Sequence, residues 1–211
     1  GGVDTVLAGF GPALATVVLS EIGDKTFFVA MLLSLRRGRT LAMTASIAAL
    51  ASMTVISTIL GVIVKSFPSQ LEGGQVYVQA FSAACFLYFG VSSLLQARSA
   101  KQDAAEEKEE ADEELSETLQ KGQGWQEWWR CALLVFLAEW ADRSMLATIA
   151  LAARWHPLGV VTGATTGHMI ATSLAVYGGT ALNKYINDFT AKLVGGSLFL
   201  VFAVTTLFGI Y

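Results

Sequence analysis

Glu21-Ile22-Gly23-Asp24-Lys25-Thr26 and Glu139-Trp140-Ala141-Asp142-Arg143-Ser144 repeat one pattern 118 residues apart, a carboxylate, a second carboxylate three positions on, a base and a hydroxyl. These acids stand out because acid is scarce around them. Of the chain's 17 Asp and Glu, ten lie between Asp103 and Glu127. The other seven are Asp4, Glu21, Asp24, Glu72, Glu139, Asp142 and Asp188, and three of those, Asp4, Glu72 and Asp188, fall at the start of the chain or in connectors. Four carboxylates thus remain inside apolar segments. On a continuous helix, residues three apart share a face, which puts Glu21 beside Asp24 and Glu139 beside Asp142. Carboxylates with hydroxyls suit a hard divalent cation such as Mn²⁺ or Ca²⁺, which takes oxygen ligands. Thr26 and Ser144 supply hydroxyls as secondary ligands, and Thr54 and Thr172 add two more along a pathway. Cys85, Cys131, His156 and His168 form no cluster in sequence that would favour zinc or copper.

The position of these acids is costly. A carboxylate at the centre of a membrane helix costs about 2.5–3.5 kcal/mol, so four cost on the order of 10 kcal/mol before compensation. Lys25 and Arg143 lie four residues after Glu21 and Glu139 and balance part of that charge. A reading as structural salt bridges alone leaves Asp24 and Asp142 unpaired. A bound divalent cation, or protons when it leaves, neutralises the rest. Mutual repulsion and desolvation both favour proton uptake by an emptied site, which makes protons the expected counter-ion. His168 is a candidate proton relay or path-lining residue, ranked below the carboxylates.

The segments that carry these residues have spanning length, about 20 residues. They cover roughly 10–34, 41–64, 76–97, 129–153, 157–182 and 191–210. The chain is 54% hydrophobic and 15% charged, with a mean hydropathy of +0.54, and its charge is concentrated in one run. The fold class expected is all-α and integral to the membrane, with the lipid bilayer as solvent. A nucleic-acid partner is not expected, since no basic stripe interleaves with aromatics. Cys85 and Cys131 read as small packing residues rather than a disulfide. Glycines 163, 167, 178, 179, 195 and 196 read as close-packing positions between helices. Trp125, Trp128 and Trp129 read as an interfacial anchor. The chain opens Gly1-Gly2-Val3 without methionine or a visible targeting pattern, so a processed N-terminus is the expectation.

The repeat extends beyond the motif. With the same shift Thr44, Thr54 and Gly61 fall on Thr162, Thr172 and Gly179, and with a shift of 113 the run 86–94 falls on 199–207. Residues 1–97 and 129–211 therefore read as two three-helix repeats, joined by an acidic, solvent-exposed, partly helical linker over 98–128. An odd number of spans per half makes the six transmembrane helices two inverted repeats, with the site at the midplane. Ten of the Lys and Arg residues, among them Arg36, Arg37, Arg39, Arg130 and Lys192, fall on one side of that topology; Lys65 and Arg154 fall on the other. The basic side is expected to face cytosol or stroma.

Glu21-Ile22-Gly23-Asp24-Lys25-Thr26 resembles the E-x-G-D-(K/R)-(T/S) signature of a divalent cation/proton exchanger family that includes Golgi manganese/calcium exchangers and plastid and cyanobacterial manganese transporters. The likeness covers nearly the whole chain, including Gly167-His168 and Ala171-Thr172 in the fifth segment. Residues Glu139-Trp140 and Asp142 through Thr148 look most like chloroplast inner-envelope manganese transporters of plants, with thylakoid relatives second. The resemblance implies that the motif acids form the ion site, that Mn²⁺ is the main substrate with Ca²⁺ as an alternative, and that the protein has no enzymatic activity and no resident cofactor. Ala141 stands where the family usually has glycine, and its methyl group would tighten packing or shift the Asp142 backbone. A passive divalent cation channel is the alternative function. A membrane hydrolase fits less well, since four acids with two bases are not an acid dyad sharing one proton.

Overall fold

The computed structural model describes residues 2–66, 74–120, 124–140, 142–183 and 188–209. Every element among them is a helix: α1 (Gly2–Glu21), α2 (Lys25–Arg37), α3 (Arg39–Ser66), α4 (Gly74–Gln96), α5 (Ala100–Gln120), α6 (Trp125–Ala138), α7 (Arg143–Arg154), α8 (Pro157–Asn183) and α9 (Asp188–Phe208). Ala141 and the connectors at 67–73 and 184–187 lie outside the described residues.

Three helices, Arg39–Ser66, Gln75–Gln96 and Phe189–Phe208, are long and apolar enough to cross a bilayer. Only 39%, 33% and 33% of their most apolar windows are buried within the protein. The remaining apolar faces, with Ile59, Ile63, Phe81, Leu87, Val201 and Val204 among their exposed residues, would be insoluble in water and require lipid. The pair Val6–Glu21 and Lys25–Arg37, bent by 68° at its break, makes a fourth candidate span if it crosses as one unit. The three or four candidate spans so counted are fewer than the six apolar segments read from the sequence, because hydroxyls, glycines and His168 dilute α8, and α6 and α7 are individually short.

Packing follows small residues. A Cβ built on Gly163 would lie 2.3 Å from the Phe10 carbonyl oxygen, and one on Gly61 would lie 2.5 Å from that of Ile149. Glycine at these points lets α8 lie directly against α1, and α3 against α7. Helix α4 pairs with α9 through Phe86, Phe89, Phe199 and Phe202, whose rings stack or tilt at 5.7–6.3 Å. Trp125 and Trp128 stack at 5.2 Å at the start of α6, and Trp128 Nε1 donates to Thr44 Oγ1 at 2.9 Å.

The acidic segment is not wholly solvated. Residues 100–120 form α5, whose Ala111 and Leu115 are fully buried in the same apolar cluster as Phe27, Phe28 and Cys131. Alanine and leucine four positions apart give an otherwise polar helix one narrow apolar stripe. Ion pairs ring that stripe. Arg36 Nη2 meets Asp112 Oδ1 at 2.5 Å, Lys192 Nζ meets Asp103 Oδ2 at 2.9 Å, and Arg37 Nε meets Glu127 Oε1 at 2.9 Å just beyond the helix. Basic residues of α2 and α9, far apart in sequence, are thereby gathered around α5.

Candidate functional site

Both motifs fall at helix breaks rather than within helices. Glu21 ends α1, and Asp24 is the N-cap of α2; Glu139 caps the end of α6, and Asp142 is the N-cap of α7. The two breaks share a turn. Asp24 N donates to Glu21 O, and Asp142 N donates to Glu139 O, each at 3.2 Å. Gly23 supplies the first break with φ +79°, a left-handed conformation that favours glycine. The shared helix face expected for each acid pair is therefore corrected. A continuous turn would place residues three apart side by side, whereas here each pair straddles a break between two helices. The reading of Glu21–Lys25 and Glu139–Arg143 as structural salt bridges, set aside on the sequence, is not what forms: Lys25 and Arg143 pair with other acids.

The two halves meet at hydroxyls. Thr26 Oγ1 lies 2.7 Å from Glu139 Oε1 and 3.1 Å from Glu21 Oε2, so one side chain from the first half bridges the two glutamates. Ser144 Oγ donates to Glu139 Oε2 at 2.7 Å. Glu21, Glu139, Thr26 and Ser144 are 3%, 0%, 3% and 3% exposed, so these contacts form away from bulk solvent. His168 Nδ1 stands 3.5 Å from Glu21 Oε1, just beyond good hydrogen-bonding distance, and is itself buried. Glu21, Thr26 and Thr172 line one narrow crevice with Phe27, Leu50 and Ala171, too tight to admit a water molecule. Thr54 is buried but gives its proton to Leu50 O within α3 at 2.9 Å.

The aspartates differ from each other. Asp142 caps its own helix, accepting from Ser144 N at 3.2 Å. Asp24 makes no side-chain cap and instead pairs with Arg143 from the other half, Nη2 to Oδ1 at 2.8 Å. Arg143 Nη1 also donates to Gln96 Oε1 at the end of α4, at 2.9 Å. Lys25 turns to α5, with Nζ 2.7 Å from Glu114 Oε1 and 3.3 Å from Glu110 Oε2. Gln96, Glu110 and Glu114 escaped the sequence reading. No spacing links them to the motifs, and two of them lie in the acidic run, where any one glutamate looks like the next. Among the described residues no three of His, Cys, Asp and Glu stand close enough together to form a ready-made metal cage. The carboxylates are instead tied through hydroxyls and a guanidinium.

The bundle is all-helical among the described residues, with three or four candidate membrane spans and two related acidic helix breaks, which makes it a membrane protein, and comparison with known proteins makes the class specific. Residues 9–101 and 127–211 match the family described as divalent cation/proton antiporter GDT1, and the chain belongs to that family. It is 40% identical to the PAM71-homolog protein, chloroplastic, of Arabidopsis thaliana over 228 residues, covering 100% of this chain and 64% of that protein. It is 40% identical to a chloroplastic GDT1-like protein 2 of Oryza sativa subsp. japonica, covering 97% of this chain and 62% of the relative. A GDT1-like protein of Synechocystis sp. is 37% identical, over 95% of this chain and 97% of its own length. The chain thus spans about three fifths of the length of the plant relatives. No solved structure matches it.

Proposed function

We propose that this chain exchanges a divalent cation, Mn²⁺ first and Ca²⁺ second, for protons by alternating access, with Glu21, Asp24, Glu139 and Asp142 as its ligands. The observation that carries this reading is the Thr26 hydroxyl held between Glu21 and Glu139, acids of two different sequence halves. Family membership supports the chemistry. Thr26 and Ser144 donate hydrogen bonds to carboxylate oxygens that a cation would use, so ion entry breaks those hydrogen bonds and expels protons bound to the carboxyl groups, and ion departure lets the carboxyl groups take up protons and the hydroxyl bonds re-form. Lys25 and Arg143 balance charge, and His168 and Thr172 border the path beside Glu21.

Six spans follow if each broken pair, α1 with α2 and α6 with α7, crosses as one. Residues 1–97 and 129–211 then form two inverted three-helix repeats around 98–128, and one repeat rocks against the other. The related turns at Glu21–Asp24 and Glu139–Asp142 support that symmetry. The basic end, where α5 docks, is the stromal or cytosolic one by the bias in Lys and Arg. The chloroplast names of the plant relatives support a chloroplast membrane; the resemblance of Glu139-Trp140 and Asp142 through Thr148 puts the inner envelope first and the thylakoid membrane second.

The test is metal uptake into proteoliposomes with an imposed pH gradient, comparing Mn²⁺, Ca²⁺ and Mg²⁺. Exchange requires that an outward proton gradient drive Mn²⁺ inward and that metal entry release protons. Mn²⁺ flux that ignores the proton gradient would instead make the protein a passive channel. D24N and D142N should each abolish uptake in protein that still folds.

A further inference from the structure

The two motif bases are not used alike, although the repeat makes them equivalents. Under the shift of 118, Asp24 corresponds to Asp142, and Lys25 corresponds to Arg143. The counterpart of the observed Arg143–Asp24 pair is therefore a Lys25–Asp142 pair, and it is not formed. Lys25 Nζ is held by Glu114 at 2.7 Å and Glu110 at 3.3 Å, both on α5, which belongs to neither repeat. A second asymmetry matches the first. Asp142, the acid without a base from the opposite half, caps Ser144 N; Asp24, the acid with one, leaves its helix uncapped.

We propose that Glu110 and Glu114 are positioning residues that hold Lys25 away from Asp142, keeping one motif aspartate available to the transported cation. The inference rests on the transport reading above and assigns α5 a part in it. Helix α5 is suited to this work because Ala111 and Leu115 anchor it in the core, while Arg36–Asp112 and Lys192–Asp103 fix its register from both repeats. Both glutamates thus sit on a docked helix, and the side chain of Lys25 is itself only 20% exposed. With the two carboxylates neutralised, Lys25 loses both of its ion-pair partners on α5, and Asp142 is the acid that the repeat symmetry offers it. Lys25 then competes with the cation.

The experiment measures Mn²⁺ affinity directly, from loss of the free aqua-ion signal in electron paramagnetic resonance. It uses the full chain in detergent as wild type, E110Q/E114Q, K25Q and K25Q/E110Q/E114Q, with melting temperatures to confirm folding. E110Q/E114Q should weaken Mn²⁺ binding about fivefold, the scale of one ion pair of this kind. In the K25Q background the same two substitutions should change affinity by less than about twofold, because no competitor remains. Restoring one charge as E110Q/E114D should recover most of the wild-type affinity. Equal weakening in both backgrounds would mean that the glutamates merely attract cations, and would overturn the proposal, as would unchanged affinity in E110Q/E114Q. A wild type that takes up no Mn²⁺ would remove the transport reading itself and this inference with it, a result distinct from wild-type binding that ignores α5.

Discussion

Arg143 and Asp24 come from opposite halves of the chain, 119 residues apart, and meet at 2.8 Å between Nη2 and Oδ1. Their side chains are 22% and 11% exposed, so the pair is largely removed from water. The planar guanidinium uses its second amino group on Gln96, which joins α7, the α1–α2 break and α4 at one point. Three consequences for this neighbourhood and one for the helix packing can be checked.

Arg143→Lys keeps the charge but cannot serve Asp24 and Gln96 with one fork. It should fold and transport more slowly than wild type, whereas Arg143→Met strands a largely buried carboxylate and should cost about 3 kcal/mol of stability. Thermal melts in detergent with parallel uptake assays would show this. Equal melting temperatures for wild type and Arg143→Met would contradict the pairing.

Thr26→Val removes the hydroxyl between Glu21 and Glu139 while keeping nearly the same volume, and Thr26→Ser keeps the hydroxyl. We expect Thr26→Val to lose at least tenfold in kcat/KM for metal uptake and Thr26→Ser to stay within a few-fold, on the order of one or two charged hydrogen bonds. Indistinguishable rates in the two variants would show that the bridge has no role in transport.

Gly163→Ala places a methyl group where the Phe10 carbonyl already lies, at 2.3 Å from an ideal Cβ. Helices α1 and α8 would have to separate, at a cost of about 1–3 kcal/mol typical of overpacking. The expected result is a lower melting temperature and a smaller monodisperse fraction on size exclusion. Gly11→Ala, where nothing lies within 4 Å of an ideal Cβ, serves as the control that should leave both unchanged.

Glu107 of α5 is half-buried, and burial pushes its carboxyl above the usual range, with Arg143 pulling the other way. A carboxyl whose folded value is raised adds stability at low pH, and that contribution is lost as pH rises from the unfolded value through the folded one. Glu107→Gln should therefore raise the melting temperature by about 1–2 °C at pH 7.5, with the gain vanishing toward pH 4. A gain that persisted unchanged at pH 4 would point away from ionisation as the cause.

The four motif acids were legible as candidates because their surroundings are apolar: once the acidic run is set aside, few carboxylates remain, and those in apolar segments stand out by their desolvation cost. The duplication at 118 residues made the signal specific. The local geometry was not legible. Glu-x-x-Asp reads as one helix face, and only Gly23 hinted otherwise, since its left-handed backbone ends a helix that the flanking hydrophobicity would continue. The role of α5 was hidden for another reason. Ten acids within 25 residues give no basis for choosing Glu110 and Glu114 over their neighbours, and the stripe of Ala111 and Leu115 that selects the docked face is only two residues wide.

The sequence by itself indicated an apolar surrounding, an all-helical chain and the candidate acids, because hydropathy, repeat and charge scarcity are properties of residue types along a line. The tertiary structure alone decided the partners: that Thr26 stands between Glu21 and Glu139, that Arg143 crosses to Asp24, and that Lys25 turns to the linker helix instead. Ion pairs and hydrogen bonds depend on distances of about 3 Å between side-chain atoms. A chain that breaks its helices at both motifs sets those distances by the packing of elements a hundred residues apart, which spacing along the sequence does not encode.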